Sequence, residues 1–241
     1  MVAIAIMGKK KVNPFFTAGY VGVVLLLIMW GIFIADSILP YDFAQWGVYP
    51  RKTSGLWGIL FSPFIHGSLD HIINNSPPIL ILSWALYYFY RKIGTQILII
   101  SWLIGGLFVW ISARDAYHIG MSGVIYSLAF FIFFSGLFRR ETKVMAIALF
   151  VAFLYGSMIW GIFPLDPKVS FEAHLFGAVV GVALAYFYRK EGETFKKKRY
   201  QFEIDEENDA RMLKQGYRKI VDENGFIIRW EYKGKDDHHV L

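Results

Sequence analysis

The chain has 241 residues, of which 56% are hydrophobic, 18% aromatic and 18% charged, against about 45–50% apolar and about 25% charged in an average soluble domain. The 53 residues from Arg189 onward hold 13 of the 25 Lys and Arg and 12 of the 19 Asp and Glu, and the chain has no cysteine. An ordinary cytosolic enzyme, a secreted disulfide scaffold, a disordered chain and thiolate or Cys-ligated metal chemistry are thereby excluded.

Six stretches approach the length of about 20 apolar residues that a helix needs to cross a bilayer: 17–39, 71–90, 94–113, 122–138, 144–163 and 172–188. They predict an all-α polytopic membrane protein. Residues 1–14 form a short N-terminal segment, 15–190 a six-helix bundle and 191–241 a small soluble tail. The apolar run at the very start precedes Lys9, Lys10 and Lys11, the reverse of a signal peptide. If the N-terminus is inside, the inner segments carry fourteen Lys and Arg, and the outer loops carry only Arg51, Lys52, Arg114 and Lys168. The positive-inside rule then puts both termini in the cytoplasm, and the compact form with no transit peptide points to a bacterial inner membrane. The net charge of +6 therefore reads as topology; no nucleic-acid partner is expected.

The first outer loop, 40–65, carries Tyr41, Phe43, Trp46, Tyr49, Trp57, Phe61 and Phe64, a composition suited to the headgroup level. In the tail, two β-prone runs within 217–232 flank Asn224-Gly225 and predict a hairpin.

Polar groups at membrane depth are costly and are functional candidates by default. The second segment opens with His66, Asp70, His71 and Asn75, the fourth with Gly120, Met121, Ser122 and Gly123, and the sixth with Glu172, Ala173 and His174. All three segments run from outside to inside, so these openings share one depth. A hydroxyl, an imidazole, and an imidazole with an amide are the parts of a serine hydrolase. His71 and Asn75, four apart, share a helix face. His66 is about 140° from His71 on a helix and supports the loop instead. Ser122 opens its helix, where unpaired N–H groups would stabilise an oxyanion. Gly177 and Gly181 permit close helix approach, helped by Gly123, which would bring His174 to Ser122. Tyr126, one turn below Ser122, could stack on the imidazole or donate to it.

These motifs resemble those of the rhomboid intramembrane serine proteases: His-x4-His-x3-Asn, Gly-x-Ser-Gly and Ala-His-x2-Gly-x3-Gly, in this order on the second, fourth and sixth helices. The resemblance covers about residues 15–190. It implies a six-helix rhomboid-like bundle and a Ser122–His174 dyad without a third acid. It implies an oxyanion hole from His71, Asn75 and the Ser122 N–H, and substrates that are transmembrane helices cut near their outer end. Where the family often has Trp-Arg in the first outer loop, this chain has Trp57-Gly58, and Pro77-Pro78 should kink the second helix.

Other polar residues read more simply. His118 and Asp115 either shape the entrance or are solvated, the second being the favoured reading; Arg114 is expected to anchor at the interface, Glu172 to cap the sixth helix, and Asp36 and Asp70 to be cap or interface residues. No metal or cofactor is expected, because His66 and His71 diverge and there is no His-Glu-x-x-His. The expected partners are transmembrane substrates and the bilayer, and no signal for an oligomeric state is present. The alternative function is a non-catalytic rhomboid-like module that binds or unwinds client helices. A base at His174 must be neutral, so activity is expected to fall below the imidazole range of about 6–7.

Overall fold

The computed structural model describes residues 14–140, 142–154, 160–166, 169–192 and 201–233. The chain forms two compact units, 1–193 and 194–241.

The first unit is helical: α1 (Pro14–Ala18), α2 (Tyr20–Ile38), α3 (Gly58–Phe61), α4 (Leu69–Phe89), α5 (Gly94–Ser112), α6 (Ser122–Arg139), α7 (Thr142–Leu154) and α8 (Phe171–Phe187). Among the described residues, three stretches are long and apolar enough to cross a membrane: Phe15–Ile38, Gly94–Ser112 and Ser122–Arg139; Phe171–Phe187 is apolar but shorter. At 21 residues α4 is long enough too, but its first half carries Asp70, His71, Asn74, Asn75 and Ser76, which lower its hydropathy.

Helix α6 is the inner member. Leu128, Phe131 and Ile132 are fully buried, as expected of a helix that is apolar all round. Its most extensive partner is α8. The approach is close because Gly177 and Gly181 lie against the carbonyls of Gly123 and Ser127, where a Cβ would collide. Ser127 Oγ donates to Ser101 Oγ of α5 at 2.8 Å, and Tyr90 Oη donates to Ser135 Oγ at 2.8 Å, so buried hydroxyls on α6 are paired. The outward side chains of α2 are apolar, among them Leu27, Ile34 and Ile38, the surface a helix offers to hydrocarbon.

The loop between α2 and α4 is folded, not extended. It contains 3-10 turns at Phe43–Trp46, Thr53–Leu56 and Ser62–Phe64 besides α3. Trp102 Nε1 donates to Ile59 O at 2.7 Å, Trp110 Nε1 to Lys52 O at 2.9 Å and Arg51 Nη1 to Ala113 O at 2.7 Å. The loop is thus seated on α5. Trp46 and Trp57 stay exposed. Gly58, at the place of the family's arginine, is buried with its Cα against the Gly47–Val48 backbone. No side chain fits there, which accounts for the departure.

Two boundaries differ from expectation. The stretch 144–163 is not one helix: α7 is described to Leu154, residues 155–159 lie outside the described residues, and Trp160–Ile162 is a 3-10 turn. Gly161 and Pro164 suit a turn better than a helix. Helix α4 starts at Leu69 because Ser68 caps it, its Oγ accepting from His71 N–H at 3.1 Å. It continues through Pro77 and Pro78, which leaves the carbonyls of Ile73 and Asn74 without their intrahelical donors.

The described residues of the second unit form α9 (Gln201–Lys214) and an antiparallel pair, β1 (Tyr217–Val221) with β2 (Ile227–Tyr232). The turn between the strands is longer than Asn224-Gly225 alone. Asp222 Oδ1 accepts from the N–H groups of Asn224 and Phe226, and Gly225 takes φ +83°.

Candidate active site

A cavity of about 970 Å³ is lined by His71, Asn75, Ser122, Tyr126, Gly161 and His174, with Asp70, Arg114 and Asp166 also on its wall. Ser122 is the first residue of α6. His174 lies in the first turn of α8, whose N-cap is Ser170. The close α6–α8 packing sets the two side chains together: His174 Nε2 is 2.8 Å from Ser122 Oγ.

The imidazole is held from its other sides. His174 Nδ1 is 2.8 Å from the carbonyl of Gly161. A carbonyl only accepts, so Nδ1 carries the proton, and Nε2 is left with a lone pair for the Ser122 hydroxyl. The Tyr126 ring stacks on the imidazole with centroids 4.2 Å apart and planes within 7°. The Gly161 Cα lies against Tyr126 Oη and His174 Nδ1, so a side chain there would strike both.

His71 and Asn75 lie across the cavity on α4. Asn75 Nδ2 donates to the His71 carbonyl at 2.9 Å. That fixes the amide and leaves its second N–H free to be used. Gly120 takes φ +104°, and a Cβ on it would sit 2.5 Å from His71 Nε2. Glycine is needed there on both counts. As the opening residue of α6, Ser122 has a backbone N–H without an intrahelical acceptor.

His66 lines no part of this cavity. It lies behind His71, ring centroids 4.9 Å apart. Its Nδ1–H donates to Phe64 O at 3.3 Å and its Nε2 accepts from Met121 N–H at 3.5 Å. It braces the segment leading to Ser122. Burial above all, then the neighbouring His71, holds its pKa down to about 4, against the opposing bond to Phe64. Gly123, Gly177 and Gly181 act in helix packing.

Two expectations fail here. His118 is not solvated: it is 4% exposed, and burial pushes its pKa below the usual imidazole value. Glu172 does not cap α8, since Ser170 does; Glu172 is buried, with Oε1 accepting from Arg114 N–H at 3.3 Å. Arg114 keeps its side chain 37% exposed, and its Nη2 donates to Val169 O at 2.7 Å. Asp115 is exposed as expected and pairs with Arg51. Asp36 accepts from Phe43 N–H at 2.9 Å, beyond the end of α2. No group of His, Asp and Glu suited to a metal occurs among the described residues.

Sequence reasoning missed Gly161. Its contribution is a backbone carbonyl, which every residue owns, so residue type gives no signal for it. It also missed Ser170, whose signal was readable: a serine three residues before Ala173 at the start of an apolar helix.

The profile described as Rhomboid domain matches residues 53–191. Uncharacterized proteins of Mycobacterium bovis and Mycobacterium tuberculosis are each 36% identical over 149 residues, covering 58% of this chain and 62% of theirs. An uncharacterized protein of Mycobacterium leprae is 32% identical over 179 residues, covering 68% of this chain and 70% of its own. The match thus spans 62% of the length of the first two relatives. The matched region takes in His66, His71, Asn75, Ser122 and His174 together, and the chain belongs to the rhomboid family.

Proposed function

We propose that this protein is an intramembrane serine endopeptidase that cleaves transmembrane-helix substrates near the outer membrane face. The observation that carries the proposal is the 2.8 Å contact between Ser122 Oγ and His174 Nε2, with Nδ1 committed to Gly161 O. The relatives are uncharacterized, so the activity rests on this geometry and on the family.

Ser122 Oγ attacks the scissile carbonyl carbon while its proton passes to His174 Nε2. The oxyanion is met by the Ser122 N–H with His71 and Asn75. The C–N bond breaks, and the proton on Nε2 goes to the leaving amine. Water then attacks the acyl-enzyme, giving its proton to Nε2. The acyl–oxygen bond breaks, and that proton returns to Ser122 Oγ. Gly161 O keeps the tautomer correct and stabilises the imidazolium. A helical substrate has its peptide bonds buried in hydrogen bonds, so it must unwind to react, and Gly, Pro or small residues favour that. The proposal places six spans in the membrane, with α4, α6 and α8 running from outside to inside, both termini in the cytoplasm and a bacterial inner membrane around them.

The test is fluorophosphonate labelling of the detergent-solubilised protein beside Ser122→Ala and His174→Ala. Labelling is expected in the wild type, none in Ser122→Ala, and a loss of at least about 100-fold in rate in His174→Ala. A folded wild type that fails to label would turn the reading to a non-catalytic module that binds client helices.

A further inference from the structure

A ring of hydrogen bonds outside the reacting groups joins the segment before Ser122 to the first turn of α8. It centres on Arg114 and His118. Arg114 N–H donates to Glu172 Oε1 at 3.3 Å, and its Nη2 donates to Val169 O at 2.7 Å. The Arg114 carbonyl is 3.0 Å from His118 Nε2. A carbonyl only accepts, so Nε2 carries the proton and Nδ1 is an acceptor. Nδ1 lies 2.6 Å from Ser170 Oγ, so the hydroxyl donates to it. Ser170 Oγ in turn accepts from Ala173 N–H at 3.4 Å, next to His174. The backbone of His118 is itself fixed: it exchanges both bonds with Val48 of the first outer loop, at 3.0 and 2.8 Å. Gly120 N–H donates to Ser62 O of the same loop at 2.8 Å.

The imidazole of His118 thus bridges two frames. Its backbone belongs to the loop scaffold that delivers Ser122 four residues on, and its ring belongs to the helix start that delivers His174. We propose that His118 is a positioning residue, which through Ser170 locks the first turn of α8 and so holds the His174 imidazole at bonding distance from Ser122. The lock is a claim about structure; its catalytic consequence rests on the serine-peptidase reading above.

Two readouts on the full-length protein in detergent test it. One is hydrogen–deuterium exchange over residues 170–176, which needs no activity. The other is the rate of fluorophosphonate reaction at Ser122. In His118→Ala and in Ser170→Ala, exchange at the Ala173 and His174 amides should rise at least about 10-fold. Labelling should slow by about 10-fold to 100-fold, as for a misplaced catalytic group. The double variant should be little worse than Ser170→Ala alone, because that substitution already cuts the link to His118. Ser170→Thr, which keeps the hydroxyl, should stay within about twofold of wild type. Where an alanine variant fails to fold, Ser170→Gly serves. A helix N-cap tolerates glycine, yet the donor to His118 is gone, so both effects must appear. Wild-type exchange in the folded single variants overturns the proposal, as do single effects that multiply in the double variant. A wild type that never labels overturns the peptidase reading instead, and exchange still decides the lock.

Discussion

Gly161 offers no side chain, yet its carbonyl sets which nitrogen of His174 is basic. Gly161→Ala would put a methyl against Tyr126 Oη and within 3.0 Å of His174 Nδ1. The expected result is a loss of about 10-fold to 100-fold in the Ser122 labelling rate, with the helical circular-dichroism signal unchanged. Unaltered labelling would remove Gly161 from the machinery. Tyr126 acts through its ring face, so Tyr126→Phe should retain labelling within about threefold, whereas Tyr126→Ala should lose at least about 10-fold of the rate by freeing the imidazole. Ser122, His174, His71 and Asn75 could be picked out as candidates in the sequence because their chemistry is in the side chain, and His71 and Asn75 also stand four apart on one helix. Gly161 was not, because the group it supplies is common to all residues. His118 was misread for a related reason: four residues before a helix in a polar stretch, it looks solvated, and its long-range partners, Val48 for the backbone and Ser170 for the ring, leave no local signal. His66 gives a pH prediction. Its folded pKa of about 4 lies below the unfolded value of 6.5, so between the two the unfolded chain binds more protons and stability rises with pH. The full contribution is present above about 6.5 and is lost as pH falls toward 4. Burial lowers His118 in the same direction. The thermal midpoint in detergent is expected to drop between pH 7 and 4.5, and His66→Gln should flatten that dependence. A profile unchanged in the variant would show that His66 does not carry it.

At the scale of elements, the glycines of α8 decide how near the two reacting helices come. Gly177 and Gly181 face the backbone of α6 with no room for a Cβ. Gly177→Ala and Gly181→Ala should each cost about 1–3 kcal/mol through overpacking. Gly177→Ala should also slow labelling, because Gly177 is one helical turn from His174 and the methyl pushes α8 off Gly123. Thermal unfolding and labelling rates measure the two effects separately. A midpoint unmoved in both variants would mean that the helices have slack. The Gly-x-x-x-Gly spacing made this contact readable beforehand, as did the hydrophobic runs that became α2, α5 and α6. The 3-10 turn at Trp160–Ile162 was not readable: hydropathy stays high through this stretch, so composition predicts helix where Gly161 turns the chain. Helix α9 was overlooked because it is mostly polar and too short to cross a bilayer. Its signal was electrostatic instead, with Glu203, Asp205, Glu206 and Glu207 toward its start and Arg211 and Lys214 in its last turn, the arrangement that complements a helix dipole.

For the whole molecule, the chemistry depends on which side of the membrane the cavity opens. Helices α4, α6 and α8 begin at one end of the bundle, and their first turns carry His71, Ser122 and His174. Basic residues cluster at the other ends: Arg91 and Lys92 after α4, Arg139 and Arg140 at the end of α6, Arg189 and Lys190 after α8. On the proposed topology, with Lys and Arg biased toward the cytoplasm, the cavity faces outward. This can be tested directly, because the chain has no cysteine and a single introduced thiol reports its own location. Asp115 is exposed beside the cavity segment, and its ion pair with Arg51 is at the surface, where such pairs contribute about 0–1 kcal/mol, so Asp115→Cys should be well folded. Lys92 is exposed at the opposite end. In intact cells a membrane-impermeant maleimide should label Asp115→Cys within minutes and leave Lys92→Cys unlabelled until the membrane is opened. The reverse pattern would invert the topology. It would place Ser122 and His174 at the cytoplasmic face, and substrates would then be cut at their inner ends, with water reaching the acyl-enzyme from the cytoplasm.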